Sequence, residues 1–312
     1  MKIKDESFSV ELNKKVSQNE TTIGEMHIYS DIVCAGWCAG NPTCCIASYN
    51  KASKQCQLYS CCSPETVPSS NGMVLRKLPG KLPLDELLDC SDIPNGSLSG
   101  VYTMYHKNGS FDVYCDVKTD GIWTVIQRRL DGAIDFYRNW QDYKMGFENV
   151  YSEYWLGNDN LHNILSARDY TLRIDLQDWN GETRYAEYDT FFVGNEATKY
   201  ELTISNYSGN VEDSIVFPGL EDCKMNGMAF STWDADNDKS QTNCAENSEH
   251  AGWWYNSCTR ANLNGIYYNG GVIMRDGIYW QNWYSSDYSL KTIAMKIKPK
   301  YLRCSESNGR NF

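Results

Sequence analysis

The sequence predicts an α+β chain in two domains, and three observations carry that prediction. Seven of the 13 cysteines fall between Cys34 and Cys62. From Cys90 onward the cysteines thin out, and Trp, Tyr and Gly dominate a series of strand-like runs. Between the two regions, Leu78-Pro79-Gly80-Lys81-Leu82-Pro83 is punctuated by Pro and Gly as a linker. A length of 312 residues suits two domains better than one small module, and ten Trp with 22 Tyr supply material for a large core.

Residues 1–28 are polar and charged with little periodicity, which predicts a flexible arm or an edge strand. Residues 29–78 form the cysteine-dense module. There Tyr29-Ser30-Asp31 offers an N-cap, Ile32, Val33, Ala35, Gly36 and Trp37 carry a short helix, and Gly40-Asn41-Pro42 stops it. Cys45–Tyr49 and Cys56–Tyr59 read as short strands across a Lys/Ser turn. Residues 79–89 are the linker, 90–300 the second domain and 301–312 a tail. In the second domain Gly100–Met104, Phe111–Asp116, Trp123–Arg128, Thr171–Asp175 and Ala186–Phe192 read as strands, and Asn158–Leu165 as a short helix. Beyond Asn206 the density of Gly, Asn and Asp predicts loops.

A formal charge of −11 argues against nucleic acid as the partner, because phosphate binding needs a cationic face. No run approaches the roughly 18 apolar residues of a membrane span, so no insertion is expected. The cysteine spacing does not fit zinc, which favours paired CxxC knuckles or a CxxC with HxxxH. Cys34-xxx-Cys38, Cys44-Cys45, Cys56 and Cys61-Cys62 stand beside a single histidine, His27, so disulfides and an oxidising compartment are expected. Sequons at Asn19, Asn95, Asn108 and Asn206 agree with a secreted, extracellular chain. The first 30 residues lack an apolar signal segment, so export implies that one was removed or lies outside this sequence. An odd cysteine count leaves at least one thiol free or bonded to another chain.

Nothing here reads as an enzyme. There is no G-x-S-x-G elbow, H-E-x-x-H pair or Gly-rich phosphate loop. His27, His106, His162 and His250 are scattered, with no nucleophile in sequence beside them.

A longer pattern gives the second domain its family resemblance. The runs are Gly100-Val-Tyr-Thr, Val113-Tyr-Cys-Asp, Asp120-Gly-Ile-Trp-Thr-Val-Ile-Gln-Arg-Arg129, Asp135-Phe-Tyr-Arg-Asn-Trp140 and Glu153-Tyr-Trp-Leu-Gly-Asn-Asp-Asn160. They continue through Leu172-Arg-Ile-Asp-Leu176, Gly227-Met-Ala-Phe-Ser-Thr232 and Asn262-Leu-Asn-Gly265 to Tyr288-Ser-Leu-Lys and Met295-Lys-Ile-Lys-Pro299. In this order they resemble the fibrinogen C-terminal (fibrinogen-related) domain, including the tachylectin- and ficolin-like lectins. The resemblance implies an antiparallel sheet with short helices and a loop-rich subdomain for calcium and ligand. The cysteine module resembles a PAN/apple domain, through Cys34-xxx-Cys38, Asn41-Pro-Thr-Cys44 and Cys56-Gln-Leu.

The first resemblance implies disulfides Cys90–Cys115 and Cys244–Cys258, the latter closing a loop worth roughly 3 kcal/mol. The second suggests Cys34 with Cys56, and Cys38 with Cys44 or Cys45. Cys223 and Cys304 are additions to the family pattern and are expected either to pair or to stand apart. The odd cysteine is expected between Cys34 and Cys62, where a bridge to a second chain would make a homo-oligomer.

Asp234-Ala-Asp236-Asn-Asp238-Lys-Ser240-Gln-Thr242 reads by itself either as a solvated acidic turn or as a loop offering the oxygens that a hard cation takes. The resemblance implies Ca²⁺, held by the side chains of Asp236 and Asp238 and the carbonyls of Ser240 and Thr242, with Asp234 as a buttress. It also implies a cis bond at Ser257–Cys258 that presents main-chain N–H groups to a ligand's acetyl group. Trp253, Tyr255, Tyr268, Tyr279 and Trp283 are candidate aromatic walls, and Thr259 and Arg275 the polar rim. Departures stand at Thr259, where acetyl-binding relatives often have His, and at Met274-Arg275 and Ser286, where they often have aromatics. Arg275 suits an anionic ligand instead.

The expected function is a secreted, calcium-dependent lectin of innate pattern recognition, binding glycans or acetylated surfaces. The alternative is a matrix or receptor-ligand protein that binds a cell-surface protein through the same face. A single lectin site binds weakly, and no collagen or coiled-coil stalk is present. The valency would come from a disulfide or from the PAN-like module.

Overall fold

The computed structural model describes residues 2–3, 6–18, 20, 22–41, 44–60, 65–78, 87–94, 96–106, 109–217, 219 and 221–300. The chain divides after residue 82 into two units. Most of the predicted linker and the whole predicted tail lie outside the described residues.

In the first unit, strands β1 (Lys2–Ile3), β2 (Glu6–Val16) and β3 (Gly24–His27) precede helix α1 (Asp31–Ala39). Strands β4 (Ile46–Asn50), β5 (Gln55–Tyr59) and β6 (Thr66–Leu78) follow it. Ser30 caps α1 as expected, its hydroxyl accepting the Val33 N–H at 3.3 Å. The helix buries Cys34, Ala35 and Cys38 in one core with Tyr49, Leu58, Met73 and Leu75. Two disulfides fasten it. Cys34–Cys56 joins it to β5, and Cys38 pairs with Cys44 of the two residues left open. Such bonds matter in a unit this small, whose core alone gives little margin.

Residues 1–28 are not an arm ahead of this module but part of it. The sheet runs β1-β2-β6-β4-β5-β3, so β2 sits inside it while β1 and β3, both from residues 1–28, are its two edge strands. The charged sequence of β2 misleads because Glu11 reaches across to Arg76 at 2.5 Å and to Lys14 at 3.0 Å. Strand β6 was hidden by Pro68, Ser69, Asn71 and Gly72. It bulges where its register with β2 jumps from Leu12↔Met73 to Lys14↔Pro68. A Cβ on Gly72 would stand 2.3 Å from the Lys14 carbonyl oxygen, so only glycine admits this crossing.

The second unit opens with β7 (Gly100–His106), β8 (Gly109–Lys118) and β9 (Gly121–Arg129). Next come α2 (Trp140–Met145), β10 (Tyr154–Trp155), α3 (Asn158–Leu165), β11 (Tyr170–Gln177), β12 (Thr183–Val193) and β13 (Leu202–Gly209). The loop-rich part holds α4 (Cys244–Asn247), β14 (Ala261–Asn262), β15 (Tyr279–Trp280) and α5 (Gln281–Tyr284), before β16 (Thr292–Pro299). The large sheet runs β13-β12-β11-β16-β9-β8-β7, antiparallel, with β10 added to β9. Its last strand in sequence is therefore central, and the sheet cannot close until β16 arrives. Strand β11 alternates as a half-buried strand should: Tyr170, Leu172, Ile174 and Leu176 face the core beside Met295 and Ile297 of β16.

Two buried ionic clusters organise this unit. Glu153 is fully buried, and its carboxylate accepts the N–H groups of Leu130 at 2.6 Å, Asp131 at 3.2 Å, Gly132 at 3.1 Å and Ile134 at 3.1 Å. Arg129, 1% exposed, stands 3.6 Å from it and lies over Phe136, and burial pushes the guanidinium down to about 10. At the start of the unit, fully buried Asp89 accepts from Arg168 at 2.7 Å and from the Tyr170 hydroxyl at 2.6 Å. Leu87 is also buried, and its carbonyl accepts the Tyr105 N–H at 2.7 Å. The described order thus begins before Cys90, where the sequence had placed the boundary.

The disulfides Cys90–Cys115 and Cys244–Cys258 form as the family pattern implied. Cys45 is disulfide-bonded as well. Cys223 is a free thiol, half-buried in the short turn Glu221–Cys223, and Cys304, its expected partner, lies outside the described residues. Among the described residues Cys223, in the second unit, is the unpaired cysteine; Cys61 and Cys62, on which the expected bridge to a second chain also rests, lie outside them.

Candidate functional site

The loop-rich segment has little secondary structure of its own, and buried polar side chains fix it to the sheet. The Gln127 amide donates to the Leu263 carbonyl at 2.9 Å, and Arg129 donates to Gly265 at 2.6 Å. Asn262 and Asn264, both fully buried, donate to the carbonyls of Glu249 and Gly252 at 2.8 and 2.9 Å.

In the acidic loop, Asp234 accepts the Trp140 N–H at 2.8 Å and the Thr232 hydroxyl at 2.7 Å, the position of a buttress. Asp238 accepts Ser240 N–H at 2.8 Å and Cys244 N–H at 2.7 Å, while Asp236 accepts Asp238 N–H at 3.2 Å. Burial raises the Asp238 carboxyl above its usual range, and the adjacent Asp236 carboxylate adds to the rise. Two crowded carboxylates are what a cation would relieve, so the donor set fits Ca²⁺. Among the described residues no three His, Cys, Asp or Glu side chains converge, so main-chain carbonyls such as those of Ser240 and Thr242 would have to complete the shell.

The bond Ser257–Cys258 is cis, as the resemblance implied. The aromatic walls are not where they were expected. Trp253 and Tyr255 have no exposed surface, and Tyr279 keeps 2%. Gly252, a Cβ of which would lie 2.4 Å from the Tyr143 ring, draws this segment through the interior. Trp253 packs on Trp254 with centroids 5.1 Å apart, and the Tyr255 hydroxyl donates to Ala251 at 3.1 Å. Trp283, at 8%, is core too, and only Tyr268 remains half-buried among the five. Ser257 is exposed, with Cys258, Thr259 and Arg260 half-buried beside it. The Ser257 N–H is already donated to Asp222 at 2.9 Å.

A different cluster meets at this surface. His250 Nδ1 lies 3.1 Å from Asp276, which also accepts from the Tyr268 hydroxyl at 3.3 Å. Tyr137 stands edge-on to His250 at 5.4 Å and 6.3 Å from the ring of exposed Trp233. Glu249, 1% exposed, accepts from Tyr279 at 2.9 Å and from exposed Arg275 at 3.4 Å. Burial pushes Glu249 up to about 7, against the opposing pull of these two donors. Next to Arg275, Val272, Ile273 and Met274 are 43%, 68% and 39% exposed, three apolar residues in succession. Arg275, Tyr268 and Tyr279 of this cluster were singled out from the sequence, but the carboxylates of Glu249 and Asp276 that they meet were not. Nothing in the run Ser248-Glu249-His250 distinguishes a buried carboxyl from a surface one.

Of the sequons, Asn206 is exposed on β13 in the left-handed region, at φ 59°, a conformation asparagine tolerates. Asn19, Asn95 and Asn108 lie outside the described residues. Among the described residues no helix is long and apolar enough to cross a membrane.

Residues 87–300 match the family model of the fibrinogen beta and gamma chains, C-terminal globular domain. The chain is similar to fibrinogen-like protein 1 of Homo sapiens, 46% identical over 224 residues, which cover 68% of this chain and 72% of that protein. It is likewise similar to angiopoietin-related protein 7 of Bos taurus, 44% identical, covering 69% of this chain and 63% of that one. Among solved structures, lamprey fibrin D-dimer complexed with the peptide Gly-His-Arg-Pro-amide superposes with a TM-score of 0.63 at 35% identity, covering 72% of this chain and 76% of that one.

Proposed function

Because this chain belongs to the family of fibrinogen beta and gamma C-terminal globular domains, we propose that it is a secreted interaction protein whose loop face binds a protein or peptide partner. The observation that carries this reading is the exposed run Val272-Ile273-Met274-Arg275 beside the Glu249 and Asp276 carboxylates. Apolar side chains next to a guanidinium and exposed Trp233 are the composition of a protein-binding hot spot. Trp253 and Tyr255, which would have walled a sugar pocket, are core. The peptide held by the lamprey fibrin D-dimer supports the same direction.

Ca²⁺ belongs to this reading as the ion that fixes the acidic loop, through Asp236 and Asp238 and the carbonyls of Ser240 and Thr242. The loop reaches the binding face through the Lys239 N–H, which donates to Asn256 at 3.0 Å, and through the Cys244–Cys258 bond. Calcium at a hundred times its Kd is expected to add about 2.7 kcal/mol to stability, with EDTA reversing it. Asp238→Ala should erase the melting shift, and an equal shift in that variant would remove calcium from the site.

The cysteine-dense unit is read as PAN/apple-like, a second binding module. The partner test is direct. The protein, made tetravalent on streptavidin, is expected to bind cells through a protease-sensitive receptor, with Ile273→Asp and Arg275→Glu each weakening binding at least tenfold. Binding that resists protease, falls to glycosidases and tracks a glycan array in Ca²⁺ would return the lectin reading in its place.

A further inference from the structure

The outer surface of the large sheet holds a cavity of about 380 Å³. We propose that it binds an acidic saccharide, a sugar unit carrying sulfate or carboxylate. The sheet register builds the cavity. Tyr185, Asp175, Ala294 and Arg128 are successive cross-strand neighbours over β12, β11, β16 and β9. Ala294 is the one small side chain in that row, and the gap above it lies between Arg128 on one side and Asp175 with Arg173 on the other.

Three arginines line the cavity against one carboxylate, Asp175, in a chain whose net charge is −11. That carboxylate is spent, because Arg173 takes one oxygen at 2.7 Å and Lys296 the other at 2.5 Å. Arg173 also reaches Glu187 at 2.6 Å, and Arg184 is paired with Glu182 at 2.8 Å. Arg128 differs from both. Its Nε and one terminal nitrogen donate to the carbonyls of Ser152 and Val150 at 2.8 and 2.7 Å, and its guanidinium lies 4.6 Å over Tyr114. No carboxylate accompanies it among the described residues, so its charge is held rigid, half-buried and without a counterion.

A guanidinium fixed in this way is a ready partner for sulfate or carboxylate, and planar donors favour both anions. The rest of the lining is mixed, with Leu130, Leu176 and Ile293 beside Gln177, Thr183, Asn210 and Thr292, as a sugar's C–H face and hydroxyls require. Arg173 stacks on the Tyr185 ring at 4.0 Å, and amide and hydroxyl side chains complete the rim. The volume lies in the range of small-molecule sites.

The test uses the full chain and a defined heparin tetrasaccharide in 150 mM salt (~8 Å screening length), with calorimetry as the readout. Saturable binding is expected, at least tenfold weaker in Arg128→Gln and in Ala294→Leu, the latter filling the cavity without changing charge. Arg184→Gln, at a half-buried and paired position outside the Arg128 cluster, guards against a folding defect in the other two and should weaken binding several-fold. The proposal is overturned if the tetrasaccharide does not bind, if the three variants bind as the parent does, or if hexaglutamate binds as well as the sulfated sugar. The last outcome would assign the cavity to an acidic peptide.

Discussion

Replacing Glu153 by alanine is expected to cost about 3–5 kcal/mol, the range for breaking a buried ion pair from one side. In a unit of this size that lowers the melting temperature by on the order of 10 °C. The loss has two parts. Four main-chain N–H groups of the turn after β9 lose their common acceptor. Arg129, 1% exposed, is left with a buried charge and no carboxylate. Glu153→Gln, which restores acceptors but not charge, should fall between alanine and the parent. Urea midpoints would decide it, and an alanine variant within 1 kcal/mol of the parent would show that water or a rearranged turn replaces the carboxylate.

The second large effect is a pH dependence set by Glu249. Its folded value is about 7 against an ordinary 4.5, so the folded chain holds a proton that the unfolded chain has released. Stability therefore declines as pH rises from about 4.5 to about 7, by about 3 kcal/mol in all, and then levels off. Glu249→Gln cannot ionise, so its stability should lack this decline while the Tyr279 hydroxyl keeps an acceptor. Denaturant midpoints at pH 5, 6, 7 and 8 should show the variant gaining on the parent through the window. A constant gap between the two would mean that Glu249 titrates as an ordinary surface acid.

Much of the architecture was legible because it is written in local chemistry. Ser30 and Gly40 bound α1, Asn158–Leu165 is a helix as predicted, and the alternation of β11 is visible in its residues. What escaped depends on contacts distant in sequence. Strand β2 is charged because its partner Arg76 lies 65 residues away, and β6 tolerates Gly72 because of a close backbone crossing. The site divides in the same way. The acidic loop, the cis bond and the disulfides came with family motifs, whereas the direction of a Trp ring did not. Trp253 and Tyr255 sit in a run that looks like a surface aromatic patch until Gly252 under Tyr143 shows that it passes through the core. A buried Glu249 leaves no periodic trace at all.

The cluster at Asp89 sets where the larger unit can be cut. Family motifs begin to be recognisable at Cys90, and an excised piece starting there would retain every disulfide and strand of the sheet. It would also strip Arg168 and Tyr170 of the carboxylate both contact, and the Tyr105 amide of its acceptor at Leu87. The usable boundary is drawn by the Asp89 carboxylate and the Leu87 carbonyl, one and three residues ahead of that unit's first covalent crosslink.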